Sequence, residues 1–152
     1  MIGVSAVKIS TKGRYALRMM LDIAKNGGTE PVSLNDVAKR TDISLKYLEQ
    51  IVSLLSKNGL LKSRRGAGGG YIMTRTPDKY SVGDILRATE GGIAPVSCLD
   101  DEVNMCPHAD TCPTLEFWQG LDKVISDYVD KTTLWDIIEK NRIKNGQYDY
   151  CI

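Results

Sequence analysis

Three cysteines, Cys98, Cys106 and Cys112, lie within fifteen residues of one another, and the same segment contains His108, the one histidine of the chain. The segment has no hydrophobic periodicity, and a loop of this length inside a compact domain is usually functional or held by something other than a hydrophobic core. Clustered cysteines in a chain without an apolar leader more often bind metal or do redox chemistry than form disulfides. We therefore interpret residues 93–113 as a cysteine-rich, metal-binding loop.

The thiols alone do not identify the metal. Cys106 and Cys112 each precede a proline, and Cys112 lies at the predicted start of a helix, where the positive end of the dipole favours the thiolate. Thiolates bind both zinc and iron-sulfur clusters, so zinc remains an alternative, as does a redox switch without metal. The residues do not identify the fourth ligand of the metal. The candidates are His108, Glu116 and the distant Cys151.

The charge is divided between the two halves of the chain. Residues 1–75 contain thirteen Lys and Arg against five Asp and Glu, a balance of +8, and residues 76–152 contain seven against fourteen, a balance of −7. The first half is therefore suited to a polyanion such as nucleic acid.

No apolar run approaches the length of a signal peptide or a membrane span, so we expect a cytoplasmic protein with no membrane partner. No nucleophile has an evident base, which argues against an enzyme.

Three helices are predicted in the basic half. The first covers residues 11–26 and ends at Gly27; the second follows Ser33, with a hydrophobic staple across its start. Ser44 caps the third, which Gly59 closes. The third helix is expected to bury one stripe, formed by Leu45, Leu48, Ile51, Val52 and Leu55.

The second and third helices, joined by a tight turn, are typical of a helix-turn-helix whose second helix enters the major groove of double-stranded DNA. On the exposed face of that helix, Glu49 can accept from cytosine, Gln50 can pair with adenine, and Lys46 or Tyr47 can reach guanine or phosphate. The predicted DNA contacts of the helical part are Lys12, Arg14, Ser44, Lys46, Tyr47, Glu49 and Gln50.

A β-hairpin is predicted next, with strands over residues 60–63 and 71–74. Its glycine-rich tip lets the backbone approach a ligand closely, and two arginines beside it can enter a minor groove or grip phosphate. A phosphate loop is a poor alternative, because the Gly-Lys-Ser/Thr ending is missing and the stretch does not open a helix. The hairpin is interpreted as a wing, with the contact residues Arg64, Arg65, Gly66, Gly68, Gly69 and Gly70.

Beyond the wing, a fourth helix starts at Ser81 and ends at Gly91. After the cysteine loop, Pro113 is expected in the first turn of a long amphipathic helix, whose face over residues 114–130 should pair with a second subunit. A short helix follows Thr133, and residues 142–152 read as a loose tail. The apolar stripe of the long helix consists of Leu115, Trp118, Leu121, Ile125, Tyr128 and Val129.

These elements predict a mainly α fold with a small β wing: a winged helix-turn-helix domain followed by a long C-terminal dimerisation helix. The expected divisions are residues 8–92 for DNA binding, 93–113 for the cysteine loop, 114–141 for dimerisation and 142–152 for the tail.

Together, the segments KISTKGRYALRMMLDIA, ISLKYLEQIVSLLSKNGLL, RRGAGGGY and SVGDILRATEG, with the three cysteines, resemble the bacterial IscR, NsrR, RirA and CymR family of winged-helix transcriptional regulators. The resemblance implies a homodimer in which Glu49 reads a base and the segment from Arg65 to Gly70 follows the minor groove. It also implies a two-iron two-sulfur cluster on Cys98, Cys106 and Cys112 that controls operator binding in response to iron-sulfur, redox or nitric oxide status.

Three positions depart from the family pattern. Seven residues separate Cys98 from Cys106, where IscR has five; Leu115 stands at the position of the IscR histidine ligand; and Arg14 stands where a nitric oxide sensor has a carboxylate. Two alternatives therefore stay open. One is a metal-free regulator of cysteine metabolism that acts with an enzyme partner, and the other is an iron-sulfur or zinc protein that does not act on DNA.

Overall fold

The computed structural model describes residues 8–146, and within them the predicted mainly α fold with a small two-stranded wing is confirmed. Short 3-10 turns cover Pro77–Lys79, Ser97–Leu99 and Ala109–Thr111. The helices and strands are α1 (Thr11–Asn26), α2 (Leu34–Thr41), α3 (Leu45–Lys57), β1 (Leu61–Arg64), β2 (Gly70–Met73), α4 (Val82–Glu90), α5 (Leu115–Lys131) and α6 (Leu134–Lys144).

The helix starts are set by local capping, as predicted. The Ser33 side chain accepts from the Asp36 N–H, and Ser44 accepts from the Tyr47 N–H, so each satisfies a backbone donor in the first helical turn. Asp42 adopts a left-handed conformation, with φ of 55°, and turns the chain between α2 and α3. The helix-turn-helix geometry therefore follows from a few polar residues at the ends of two helices.

The core lies where α1, α2, α3 and α4 meet, and Leu134 from α6 joins it. Leu48 and Ile51 of α3 are fully buried in it, as expected. The prediction that Leu45 is buried was wrong, because its side chain is 37% exposed. Leu45 is the first residue of α3, so it lies at the edge of the packed layer rather than within it.

The wing is an antiparallel hairpin in which Leu61 faces Met73 and Arg64 faces Gly70, so β1 begins one residue later and β2 one residue earlier than predicted. Val32, just before α2, exchanges two backbone hydrogen bonds with Tyr71, of 2.9 and 2.8 Å. A side chain on Gly70 would place its Cβ 2.3 Å from the Val32 carbonyl oxygen. Glycine at this position is therefore required for the hairpin to lie against the segment before α2.

Helix α5 begins at Leu115, so Pro113 precedes the helix and the expectation that it forms the first turn was wrong. Pro113 lies in the turn that leads into α5, since the Leu115 N–H reaches the Cys112 carbonyl at 3.5 Å. The other end of α5 is fixed to α4 by an Arg87–Asp130 ion pair of 2.6 Å. No residue of α5 is fully buried, but the predicted apolar stripe is half-buried at every position except Tyr128. The exposed large apolar residues of the helix are Phe117, Val124 and Tyr128, and the prediction missed the first two.

Helix α6 returns to the core and continues through Lys144, so the prediction that the loose tail starts at residue 142 was wrong for residues 142–144. Its start has a capping box between Thr133 and Asp136. Cys151 and the rest of the predicted loose tail from residue 147 onward lie outside the described residues. Within residues 8–146, no helix has both the length and the apolar character to span a membrane.

Candidate DNA interface and cysteine loop

Helix α3 presents its predicted contact residues on one exposed face. Lys46, Glu49 and Gln50 are exposed, and the buried positions of the helix lie on its other side. Tyr47 is only partly available, because it is half-buried and packs edge to face against Tyr15, with ring centroids 5.6 Å apart. The face therefore offers a cation, a carboxylate and an amide, which together can read the donors and acceptors of base edges.

The start of α1 lies beside the start of α3. Thr11, Tyr15, Asp42, Ser44 and Tyr47 line a shallow depression between these two helix ends. Two helix N-termini meet at this surface, and the positive ends of their dipoles suit a phosphate. Sequence reasoning missed Tyr15, because only the packing of α1 on α3 brings it to this surface.

Two residues of α1, Lys12 and Arg14, were predicted to contact DNA. Arg14 is exposed, and its guanidinium donates to the Thr11 hydroxyl at 3.1 Å. Lys12 is half-buried. Ser44 accepts one hydrogen bond at its hydroxyl oxygen when it caps α3, and its hydroxyl proton can still donate to a DNA phosphate.

The wing tip covers residues 65–69, and its glycines are required for two reasons, backbone conformation and space. Gly66 and Gly68 have φ of 102° and 70°, which side chains rarely adopt. Gly69 is required by space, because a Cβ there would lie 2.4 Å from the Arg64 carbonyl oxygen. Gly69 and Gly70 therefore have structural reasons to be glycine, independent of any contact with DNA.

The two wing arginines have different positions. Arg64 ends β1 and its guanidinium lies 3.7 Å from the Glu30 carboxylate. Arg65 follows in the tip and is exposed. Arg65 therefore lies one residue further along the hairpin toward its tip than Arg64.

The cysteine loop holds three half-buried free thiols, at Cys98, Cys106 and Cys112. His108 and Glu116, the predicted additional ligands, are exposed. Across residues 8–146, no three His, Cys, Asp or Glu side chains form a group that could hold a metal ion. The donor chemistry fits iron or zinc, but the described arrangement does not gather the donors at one point.

Cys112 differs from the other two cysteines in its electrostatics. A hydrogen bond with the Thr114 hydroxyl, with Sγ and Oγ1 3.6 Å apart, lowers the pKa of the Cys112 thiol, and the backbone N–H groups at the start of α5 lower it further. The helix-start effect was predicted, but the larger contribution of Thr114 was missed. A hydroxyl residue two positions after a cysteine is the sequence signal that would have indicated it.

Comparison with known proteins places these features in a family. The model of the Rrf2 family, described as an iron-dependent transcriptional regulator, matches residues 9–140. The regulator CymR of Bacillus subtilis is 43% identical over 131 residues, which are 86% of this chain and 89% of CymR. The regulator IscR of Erwinia tasmaniensis is 37% identical over 137 residues, which are 90% of this chain and 82% of IscR.

Solved structures give the same result. The structure of CymR, the global cysteine regulator of B. subtilis, is 41% identical, has a TM-score of 0.71, and aligns over 88% of this chain and 97% of CymR. The structure of T. potens IscR is 37% identical, with a TM-score of 0.70 and 88% of each chain covered. The predicted resemblance is confirmed, and so is the prediction of a regulator rather than an enzyme, since the named relatives are transcriptional regulators.

Proposed function

Because this chain belongs to the Rrf2 family of transcriptional regulators, we propose that it binds a two-fold operator in double-stranded DNA as a homodimer, under the control of its cysteine loop. The observation that carries the proposal is the exposed face of α3, where Lys46, Glu49 and Gln50 stand together. An exposed polar face on the second helix of a helix-turn-helix suits base reading in the major groove.

The DNA-binding residues fall into two groups under this proposal. Glu49 and Gln50 contact base edges, and therefore set the preferred sequence. The α1–α3 depression and the wing contact the backbone and the minor groove, with Arg65 as the main cation of the wing. The second group sets affinity and its salt dependence more than its sequence preference.

Dimerisation is assigned to residues 114–130. Phe117, Val124 and Tyr128 of α5 are each about two-thirds exposed (65%, 66% and 69%) and follow one another at helical spacing. A monomer would leave this stripe in water, whereas the same helix of a second copy can cover it. Two copies related by a two-fold axis would present two recognition helices to a symmetric operator.

The cysteine loop is proposed as the sensor because of its place in the chain. It leaves the end of α4, which packs on the DNA-binding core, and it enters α5, the proposed dimer helix. A two-iron two-sulfur cluster on Cys98, Cys106 and Cys112 is the first candidate occupant, with zinc second and His108 or Glu116 as candidate further ligands. Because these donors do not form a preassembled site, the loop has to rearrange to bind either one.

Anaerobic purification tests the cluster directly. Iron, zinc and acid-labile sulfide are measured per chain, and operator affinity is compared before and after removal of the metal. The proposal expects iron and sulfide in equal amounts and a changed affinity, and a Cys106→Ser variant should lose both the metal and the response. A metal-free protein with unaltered operator affinity would overturn the control by a cluster, while leaving the DNA-binding assignment in place.

A metal-free regulator of cysteine metabolism is the second candidate. It is favoured by the separation of the three cysteines and by the 43% identity to CymR. Under this alternative the purified protein binds its operator without metal, and the Cys106→Ser variant behaves like the parent chain. Failure to bind any duplex DNA would instead favour an iron-sulfur or zinc protein that does not act on DNA.

A further inference from the structure

Tyr80 is fully buried, and its hydroxyl joins both ends of the wing hairpin. The hydroxyl donates to the Leu60 carbonyl at 2.8 Å, one residue before β1. It accepts from the backbone N–H groups of Thr74 at 2.7 Å and Arg75 at 3.0 Å, directly after β2. Together with the Thr74 hydroxyl, which donates to the Gly59 carbonyl at 2.8 Å, this oxygen joins the two ends of the hairpin where the strands enter and leave the domain.

The backbone of the same residue contacts the junction between α5 and α6. The Tyr80 carbonyl accepts from the Leu134 N–H at 3.0 Å, and two residues later the Val82 N–H donates to the Thr132 carbonyl at 2.8 Å. Leu134 is itself fully buried in the core. The segment around Tyr80 is thus paired with the chain that connects the proposed dimer helix to the DNA-binding domain.

Arg75 supports the ring of Tyr80 from outside. Its guanidinium lies 4.8 Å from the ring centroid, and it donates to the Lys79 carbonyl at 3.1 Å. It also lies 3.4 Å from the Asp84 carboxylate in the first turn of α4. The Tyr80 ring is therefore enclosed by the wing, by the turn at Pro77–Lys79 and by α4. This packing restricts rotation of the ring.

We propose that Tyr80 is a positioning residue that fixes the direction of the wing relative to the dimer helix, so that Arg65 meets the minor groove while α3 lies in the major groove. Without the hydroxyl, the N–H groups of Thr74 and Arg75 lose their acceptor, and the Leu60 carbonyl keeps only a 3.4 Å hydrogen bond from the Thr74 hydroxyl. The wing is then attached at its root by the Thr74 hydroxyl and by the pairing of Val32 with Tyr71, and it can pivot about these contacts. In a dimer the two wings must reach sites at a fixed separation, so a pivot at the root weakens binding. The inference rests on the proposed role of the wing in DNA binding.

The test is a double-mutant cycle between Tyr80→Phe and Arg65→Ala, with operator affinity as the readout. Phenylalanine keeps the ring and the backbone pairing and removes only the hydroxyl. We expect each single variant to weaken operator binding, by roughly tenfold for Arg65→Ala. In the Arg65→Ala background, Tyr80→Phe should then cost less than about twofold, because residues that act through one contact are not additive.

Two further measurements separate positioning from general stability. Ile23→Val removes a buried methylene from α1 and is the matched control for destabilisation; its effect on affinity should be small, and the same in both backgrounds. The logarithm of the association constant falls as the logarithm of the salt concentration rises, and we expect this dependence to be less steep in both Tyr80→Phe and Arg65→Ala. The reason is that a displaced wing loses its contact with phosphate or with the groove.

The outcomes are distinct. If Arg65→Ala leaves affinity unchanged, the wing contact of the proposed function is overturned, and the inference falls with it. If Arg65→Ala weakens binding but the losses of the two variants simply add, the DNA interface stands and only the role of Tyr80 is overturned. Sub-additive losses with a parallel change in salt slope would support both.

Discussion

Glu90 accepts two hydrogen bonds from Ser10 through one carboxylate oxygen, from the backbone N–H at 3.1 Å and from the hydroxyl at 2.5 Å. Ser10 is the N-cap of α1, and Glu90 is the last residue of α4, separated from the cysteine loop by Gly91 and Gly92. Gly13 makes room for the contact, since a Cβ there would meet the same oxygen at 2.3 Å. The start of α1 is thus joined to the point where the cysteine loop leaves the core.

Replacing Glu90 with alanine should weaken both the fold and operator binding. The change removes the acceptor for two part-buried donors of Ser10, so we expect a loss of about 1 kcal/mol in the free energy of unfolding in urea. Operator affinity should fall because the start of α1 borders the depression assigned to phosphate. Glu139→Ala, which removes a half-buried acid and its 3.2 Å ion pair with Arg142 on α6, is the control for general destabilisation. Unchanged operator affinity in Glu90→Ala would limit the contact to a stabilising role.

Glu49→Ala should relax sequence preference at one base pair in each half-site. A specific side-chain contact to a base edge contributes about 1–3 kcal/mol of discrimination, so the variant should bind substituted operators nearly as well as the original at that position. Affinities for a panel of single-substitution operators give the measurement. Lys57→Ala, at the far end of the same helix, should leave the pattern of preferences as it is. A uniform loss across the panel would show that Glu49 does not read a base.

Val124→Glu should shift the protein from dimer to monomer. The side chain of Val124 lies on the exposed apolar stripe of α5, and a carboxylate buried there without a partner would cost several kcal/mol. Light scattering after size exclusion measures the mass, and operator binding should weaken because the two half-sites are no longer bound by a linked pair. Lys123→Ala, which changes the polar side of the helix, should remain dimeric. A dimeric Val124→Glu variant would place the interface elsewhere.

In the metal-free, reduced protein, alkylation should reach Cys112 at a lower pH than an ordinary thiol requires. The Thr114 hydroxyl stabilises the thiolate and lowers the pKa of Cys112, so Thr114→Val should raise that pKa and slow alkylation at neutral pH. Mass spectrometry of the modified peptide against pH gives the profile. Thr111→Val is the control, because the Thr111 hydroxyl donates to the His108 carbonyl instead. Identical profiles for both variants would contradict the role of Thr114.

The parts of the fold that depend on nearby residues could be predicted from the sequence. Ser33, Ser44, Ser81 and Thr133 each cap a helix at the expected place, because a cap involves residues only three positions apart. The attachment of Val32 to Tyr71 and the contacts of the Tyr80 hydroxyl were not predicted. These contacts join residues that are distant in sequence, and no local pattern indicates them.

In the candidate sites, too, local features could be predicted from the sequence and distances between loop residues could not. The exposed face of α3 follows from helical periodicity, so the sequence already places Lys46, Glu49 and Gln50 side by side. The cysteines are close in sequence, but irregular backbone between them has no fixed periodicity. Their distances in space therefore depend on how the loop folds, which spacing alone cannot determine.

Because Gly70 has no side chain, the base of the hairpin can lie against the Val32 backbone. Contact with the Val32 backbone fixes the hairpin at its base, whereas residues 65–69 lie beyond that contact. Substitutions in the tip can alter its charge and shape without altering the direction in which the hairpin leaves the domain. Mutational libraries aimed at new operators can therefore vary Arg65 and Ala67, as long as the glycines at positions 66, 68, 69 and 70 are kept.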